Sequence, residues 1–261
     1  MSYAFAFNFP TVNFDPSVTT HASRSETAGS AVAVGDLITV AVSYLIAGDT
    51  TMTVADDLGN TYTEDTTSHI FSSTDNNIGC RLFRCFVTNA GTPTITATAG
   101  AAAAYFGVFA SAYTGLDSFQ TSVADKRTAS GTAGTDTLTT NSGTVSTVPA
   151  MIWGVAMCAN ITNGDNITAG TGYTRRHAGL KANGLATFIV TQDGPDSSSG
   201  SLSVPFTLAQ SGSSYHCTYL AFTESSGDDV SATPDAGTAV ISGLAGKMDL
   251  GIKPPTTVRG T

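Results

Sequence analysis

Charge is the scarcest commodity in this sequence. Of 261 residues only 12% are Asp, Glu, Lys or Arg, and Glu occurs at three places, Glu26, Glu64 and Glu224. Histidine is confined to His21, His69, His177 and His216. So few titratable groups leave little with which to move protons, and no G-x-S-x-G or comparable motif surrounds any of the histidines. His216 lies next to Cys217, but neighbours along a strand point to opposite faces, which rules out a thiol–imidazole pair. The Asp residues stand mostly beside Gly, Asn or another Asp, where turn geometry explains them better than a pair of carboxylates across a cleft. No Gly-rich run leads into a helix that could cradle phosphate. No catalytic residue and no cofactor site is expected.

Basic residues are equally thin. With 11 Lys and Arg and a net charge of -9, the chain lacks the clustered cations that neutralise a phosphate backbone, so no nucleic-acid partner is expected. The adjacent pair Arg175-Arg176 reads as one side chain in solvent and one lying along a strand edge. Long apolar runs are missing too. The longest candidate, residues 101–113, falls short of the roughly 20 residues of a membrane-spanning helix and contains Gly107, so no membrane partner is expected. The opening residues 1–9 carry no basic group and reach Asn8 and Pro10 early, which reads as a first strand rather than a secretory leader.

Four cysteines, Cys80, Cys85, Cys158 and Cys217, are too few and too irregularly spaced for a disulfide framework or a zinc site. Cys80 and Cys85 fall on one predicted strand with opposite orientations, roughly 16 Å apart at about 3.3 Å per residue, so they cannot bond to each other. Buried free thiols are the default, with a cross-strand or intersubunit disulfide as the alternative. The acidic loop Asp56-Asp57-Leu58-Gly59-Asn60 lacks the ligand spacing and terminal Glu of an EF-hand, and no metal is expected there.

What remains is strand chemistry. The 41% hydrophobic fraction is enough to drive collapse, and 27 Gly supply turn conformations. Short runs such as 37–45, 81–87 and 186–190 alternate with Gly, Ser, Thr, Asn and Asp. The first, 3–9, has perfect alternation: Tyr3, Phe5, Phe7 and Phe9 on one face, Ala4, Ala6 and Asn8 on the other. A face so aromatic must be covered by the domain itself or by a neighbouring subunit, which makes these four residues the interface candidates. Residues 51–55 and 61–64 read as a hairpin around the Asp-Asp-Leu-Gly-Asn turn. Residues 101–113 and 150–158 are apolar on both faces with a central Gly, as in strands at the middle of a sheet where a facing side chain approaches the backbone. Weak strands are expected at 136–140 and 144–148, and further strands at 173–176, 186–191, 201–208 and 214–224. The tract 193–200 reads as an exposed loop by composition.

Ten or more strands with turns every 8 to 15 residues, and no helical period, predict an all-β fold: a two-sheet antiparallel sandwich, jelly-roll-like, over residues 1–225. Beyond Glu224 large apolar residues thin out, and residues 226–261 are expected to form a linker and an extended C-terminal arm. Sugar sites on such sandwiches use aromatics near loops, for which Tyr62, Tyr113, Tyr173 and Tyr215 are available, although Tyr at strand ends is commonly a core-edge residue.

Three phrases carry a resemblance. Residues 35–43 (GDLITVAVS), 54–62 (VADDLGNTY) and 110–117 (ASAYTGLD) resemble, in that order, recurring strand and hairpin phrases of β-sandwich domains in tailed-phage virion proteins and related prophage proteins, over about residues 30–225. The tail 237–245 (GTAVISGLA) is similar to small Gly-rich terminal repeats of phage structural proteins, but has Ala245-Gly246-Lys247 in place of an aromatic-Ala-Pro step. The resemblance implies a non-enzymatic virion component, a capsid decoration protein or a collar, neck or tail-fibre subunit. It would be assembled in the host cytoplasm and would contact other virion proteins and further copies of itself. A carbohydrate-binding host-attachment module that recognises host surface glycans is the alternative.

Overall fold

One strand of 21 residues, Thr94–Thr114, organises the molecule, and its length follows from a change of partners midway. In the computed structural model the described residues are 3–10, 19–75, 77–128, 137–158, 167–180, 187–208 and 214–226. Contacts divide the chain into Met1–Ser225 and Ser226–Thr261, and the arm expected over 226–261 lies outside the described residues apart from Ser226.

Among the described residues there are eighteen strands and no helix. In chain order they are β1 (Ala4–Asn8), β2 (His21–Thr27), β3 (Leu37–Leu45), β4 (Met52–Asp56), β5 (Thr63–Ser72), β6 (Ile78–Phe86), β7 (Thr94–Thr114), β8 (Leu116–Ser122) and β9 (Lys126–Thr128). There follow β10 (Thr137–Thr139), β11 (Gly143–Val145), β12 (Ala150–Cys158), β13 (Ile167–Ala169), β14 (Thr174–Leu180), β15 (Thr187–Asp196), β16 (Gly200–Leu202), β17 (Pro205–Leu208) and β18 (Tyr215–Glu224). All pairings are antiparallel.

The first main sheet has the order β1-β7-β3-β6-β5, and the second β14-β15-β12-β18-β8, with β9 also beside β18. The early half of β7 lies between β2 and β4, and its later half between β3 and β1. The switch falls where Tyr105 takes φ 47° and the register with β3 slips between Ser43 and Leu45. A bulge of this kind bends a strand and increases its twist, which lets one strand serve two layers. β10, β17 and β13 form a small sheet, and β11 and β16 another.

Both faces of the first main sheet are buried at its centre, in β3 and the later half of β7. Leu37, Ala41, Leu82 and Phe109 turn to the second main sheet and share a core with Trp153, Met157, Leu220 and Phe222. Ile38, Val40, Val42, Phe106 and Val108 face a separate cluster with Met52, Val54, Ile95 and Ala97 of the β2-β7-β4 layer. This explains why β3 is apolar almost throughout. β12 is buried at every position, and at Gly154 the sequence expectation holds. A Cβ there would lie 3.0 Å from Phe206 Cζ and 3.2 Å from Val204 Cγ1, so the small β10-β17-β13 sheet rests on the bare backbone.

The all-β sandwich predicted from the sequence therefore forms, with additional small sheets against its main layers. Three local expectations change. β4 and β5 do not pair as a hairpin, because β4 joins β7 and β5 joins β6. Residues 193–200 are not a free loop, because β15 continues to Asp196 opposite β12. Pro195 is tolerated there because the β14 ladder ends at Asp193, which leaves the outer edge of β15 without a ladder partner along 194–196 among the described residues. The third change concerns β1.

Candidate functional site

The aromatic residues of β1 do not share a face. The register against β7 runs Phe5 to Tyr113 and then Phe7 to Ala112, so Ala6 is an extra residue in a bulge. Tyr3 and Phe5 consequently pack on the core between the two main sheets, whereas Phe7 packs on, and Phe9 is buried in, the opposite cluster. All four are engaged within their own chain. Tyr3 donates its hydroxyl to Asp193 Oδ2 (3.3 Å) and its backbone N–H to Glu224 (3.2 Å). The Phe5 ring lies 5.8 Å from Tyr113 and 3.7 Å beneath the Arg176 guanidinium, which itself donates to both oxygens of Asp193. Burial, reinforced by the Asp193 charge, raises the Tyr3 phenol well above its ordinary value. Asn8 Nδ2 donates to the Arg176 carbonyl at 2.7 Å, so β1 also covers part of the β14 edge. Arg175 is exposed and Arg176 is not, in line with the expectation for that pair.

Similar polar clusters join the two main sheets elsewhere. Arg84 on β6 donates to Asp65 (3.3 Å) and sits 3.8 Å over the Phe119 ring of β8. His216 on β18 is buried with Asp125 Oδ2 2.5 Å from Nδ1 and Asp75 Oδ2 3.1 Å from Nε2. Arg127 on β9 donates to both oxygens of Asp75, and Ser72 donates to Asp75 at 2.8 Å. The Arg127 hydrogen bonds hold the Asp75 carboxyl well below the usual range. A further group lies around β3, β5 and β6, where Arg81 bridges Glu64 (2.5 Å) and Asp49 (3.0 Å) while Tyr44 donates to Asp49 at 2.8 Å. His69 stands 3.4 Å from Asp49, yet burial and the Arg81 charge together lower its pKa.

One pair imitates a catalytic dyad. Ser111 Oγ is 3.1 Å from His177 Nε2, although the two are 66 residues apart and no motif links them. Its surroundings disarm it. His177 Nε2–H donates to the Ala110 carbonyl at 2.9 Å, Ser111 donates to Asn8 Oδ1 at 2.9 Å, and His177 Nδ1 has no partner to orient it. Burial pushes the imidazole down to about 4, and both residues are buried. A nucleophile needs a base that can accept its proton and a third group that aligns the base. Here the nitrogen nearest the hydroxyl already carries a proton aimed elsewhere.

The remaining sequence candidates are structural. Tyr113 and Tyr215 are buried, while Tyr62 and Tyr173 are half-buried. Tyr62 donates to Asp56 Oδ2 at 3.1 Å. Asp56 also accepts from the backbone of Leu58 and Asn60 and from Asn60 Nδ2, and Asn60 Oδ1 in turn accepts from Thr88 and Asn89. The Asp-Asn turn thus ties the end of β4 to the segment after β6. Among the described residues, no group of three or more His, Cys, Asp and Glu is arranged to hold a metal ion. All four cysteines are free and buried, with Cys80 in one core cluster and Cys85 in the other, as their opposite orientations require. Sequence reasoning missed the ion clusters because their members lie far apart along the chain, 190 residues in the case of Tyr3 and Asp193.

Compared with known proteins, the chain matches no family model, and no curated protein or solved structure matches it at a significant level.

Proposed function

We propose that this chain is a non-enzymatic structural subunit of a tailed-phage particle, a capsid decoration protein or a collar or tail-associated subunit. It acts through burial of β surfaces against neighbouring subunits. The observation that carries the non-enzymatic part is how its scarce polar groups are used. The clusters around Asp193, Asp75 and Asp65 bridge one main sheet to the other, and the Ser111–His177 pair is locked by competing hydrogen bonds. Charged groups committed to seams stabilise a shell and are not free to turn over substrate.

The assignment to a virion rests on the phrases 35–43, 54–62 and 110–117. They correspond to β3, to β4 with its Asp-Asn turn, and to the end of β7 with its turn into β8. With Tyr3, Phe5, Phe7 and Phe9 occupied by their own chain, subunit contact is assigned to other outer surfaces. The glycan-binding alternative needs accessible rings. The burial of Tyr113 and Tyr215 and the half-burial of Tyr62 and Tyr173 favour the structural reading.

Mass spectrometry of density-purified particles from the phage or induced prophage that encodes the chain tests the proposal. The expected result is a fixed ratio of the chain to the major capsid protein. Its absence from the purified particles would refute the assignment, and saturable binding on a glycan array would favour the alternative.

A further inference from the structure

His216 has a bonding pattern that constrains its protonation state. Both ring nitrogens face carboxylate oxygens, Nδ1 to Asp125 at 2.5 Å and Nε2 to Asp75 at 3.1 Å, and an ionised carboxylate can only accept. A neutral imidazole offers one N–H, so it would leave one nitrogen lone pair directed at a buried carboxylate. The imidazolium satisfies both contacts. We propose that His216 is a protonated clamp, released by alkali, that fastens the turn between β5 and β6 in one main sheet to β18 and β9 in the other.

Other groups packed around it agree with a positive ring. Asp75 comes from the β5–β6 turn and also takes the Arg127 guanidinium from β9, whose register places Arg127 opposite His216. Asp125 comes from the connection between β8 and β9, and its second oxygen is buried without a partner. With Asp75, Asp125, Arg127 and the imidazolium, the cluster is neutral. Loss of the ring proton would leave one negative charge uncompensated inside the protein. Lys126 pairs with Cys217 in the ladder, one position away and on the other face. Cys80 on β6 and His69 on β5 feel the Asp125 charge, the first as a thiol raised by burial and the second as a ring lowered by burial and by Arg81. Neither supplies a competing cation.

The direction of the pH effect follows. Burial alone would lower the pKa of His216, but the hydrogen bond and charge of Asp125, with those of Asp75, outweigh it and raise it above 6.5. A group raised in the folded state contributes stability that is full below its unfolded pKa and is lost as pH climbs through the folded one. The clamp is therefore closed below the folded pKa of His216 and opens as pH climbs through it.

Two measurements on the full chain test this. Long-range ¹H–¹⁵N spectra of the histidine rings should show His216 predominantly doubly protonated at about pH 6.5, where His177 and His69 are predominantly neutral. Amide exchange should then show protection at Ile78, whose N–H is bonded to the Asp75 carbonyl, and along β9 falling about tenfold or more as His216 titrates, the size expected for a lost charge-assisted hydrogen bond. Asp125→Asn should bring both events to lower pH together. A neutral His216 at about pH 6.5 would overturn the proposal. So would titration of His216 with no change in protection, which would make the ring a passenger rather than a fastener.

Discussion

Glu26 offers the sharpest test of how burial governs this fold. It lies on β2 in register with Ile95, is 1% exposed, and neither carboxyl oxygen has a hydrogen-bond partner of normal geometry. Burial pushes its pKa up to about 9 from 4.5, only partly offset by the backbone at Ala110. The folded chain must therefore keep this proton while the unfolded chain releases it near pH 4.5, and folding takes up one proton throughout the interval. Stability falls by about 1.4 kcal/mol per pH unit in that window, which amounts to about 4 kcal/mol by pH 7.5. Glu26→Gln keeps the shape and has no proton to lose. The variant should match the parent near pH 4.5 and exceed it by about 4 kcal/mol at pH 7.5, which corresponds to a rise in melting temperature on the order of 10 °C for a domain of this size. Urea unfolding followed by Trp153 is the natural assay, since it is the one tryptophan and is fully buried. The contribution of His216 is common to both proteins and cancels. Parallel pH profiles for parent and variant, or a variant weaker at pH 7.5, would refute the reasoning.

Other substitutions probe the seams and the packing. Asp193→Ala removes the acceptor shared by Arg176 and Tyr3 and should cost about 3–5 kcal/mol in denaturant unfolding, because a largely buried guanidinium loses its partner; a loss under about 1 kcal/mol would count against a clamp at this point. Gly170→Ala would bring a Cβ within 2.2 Å of the Pro205 carbonyl oxygen, so a loss of about 1–3 kcal/mol is expected, and an unchanged unfolding midpoint would show that this contact gives way freely. The four cysteines are buried, and burial pushes the thiols of Cys85 and Cys217 up to about 12. A thiol reagent at pH 8 should therefore find none in the native protein and all four after denaturation, whereas rapid native labelling would contradict the packing.

The division between what could and could not be read from the sequence follows the range of the forces involved. Strand content was legible because alternation, Thr-rich runs and Gly-bearing turns are local, and β7 and β12 were recognisable as sheet centres because both faces are apolar. The purpose of Gly154 was legible for the same reason, since a bare position in an otherwise filled strand implies something resting on it. Pairing was not legible. The Asp56–Asn60 turn has the composition of a hairpin, but its side chains cap residues 88 and 89, and β4 finds its partner in β7 about 40 residues away. The single extra residue at Ala6 escaped notice because a bulge leaves the alternation intact while reversing what each residue faces, so one aromatic face became two half-faces on different cores. Asp193, placed among Gly, Pro and Asp, had every mark of a solvated loop, yet Arg176 makes its burial tolerable. A sequence with few charges is read most naturally as one in which charge does little. Here the opposite holds: Asp75, Asp125, Asp193, Arg84, Arg127, Arg176 and His216 stand where sheets meet, and at the buried pairs, Arg176 with Asp193 and His216 with Asp75, the low-dielectric setting strengthens the contact beyond its value in water. Adding exposed charges elsewhere would leave this fold largely unchanged, whereas neutralising one member of a seam would be felt across both sheets.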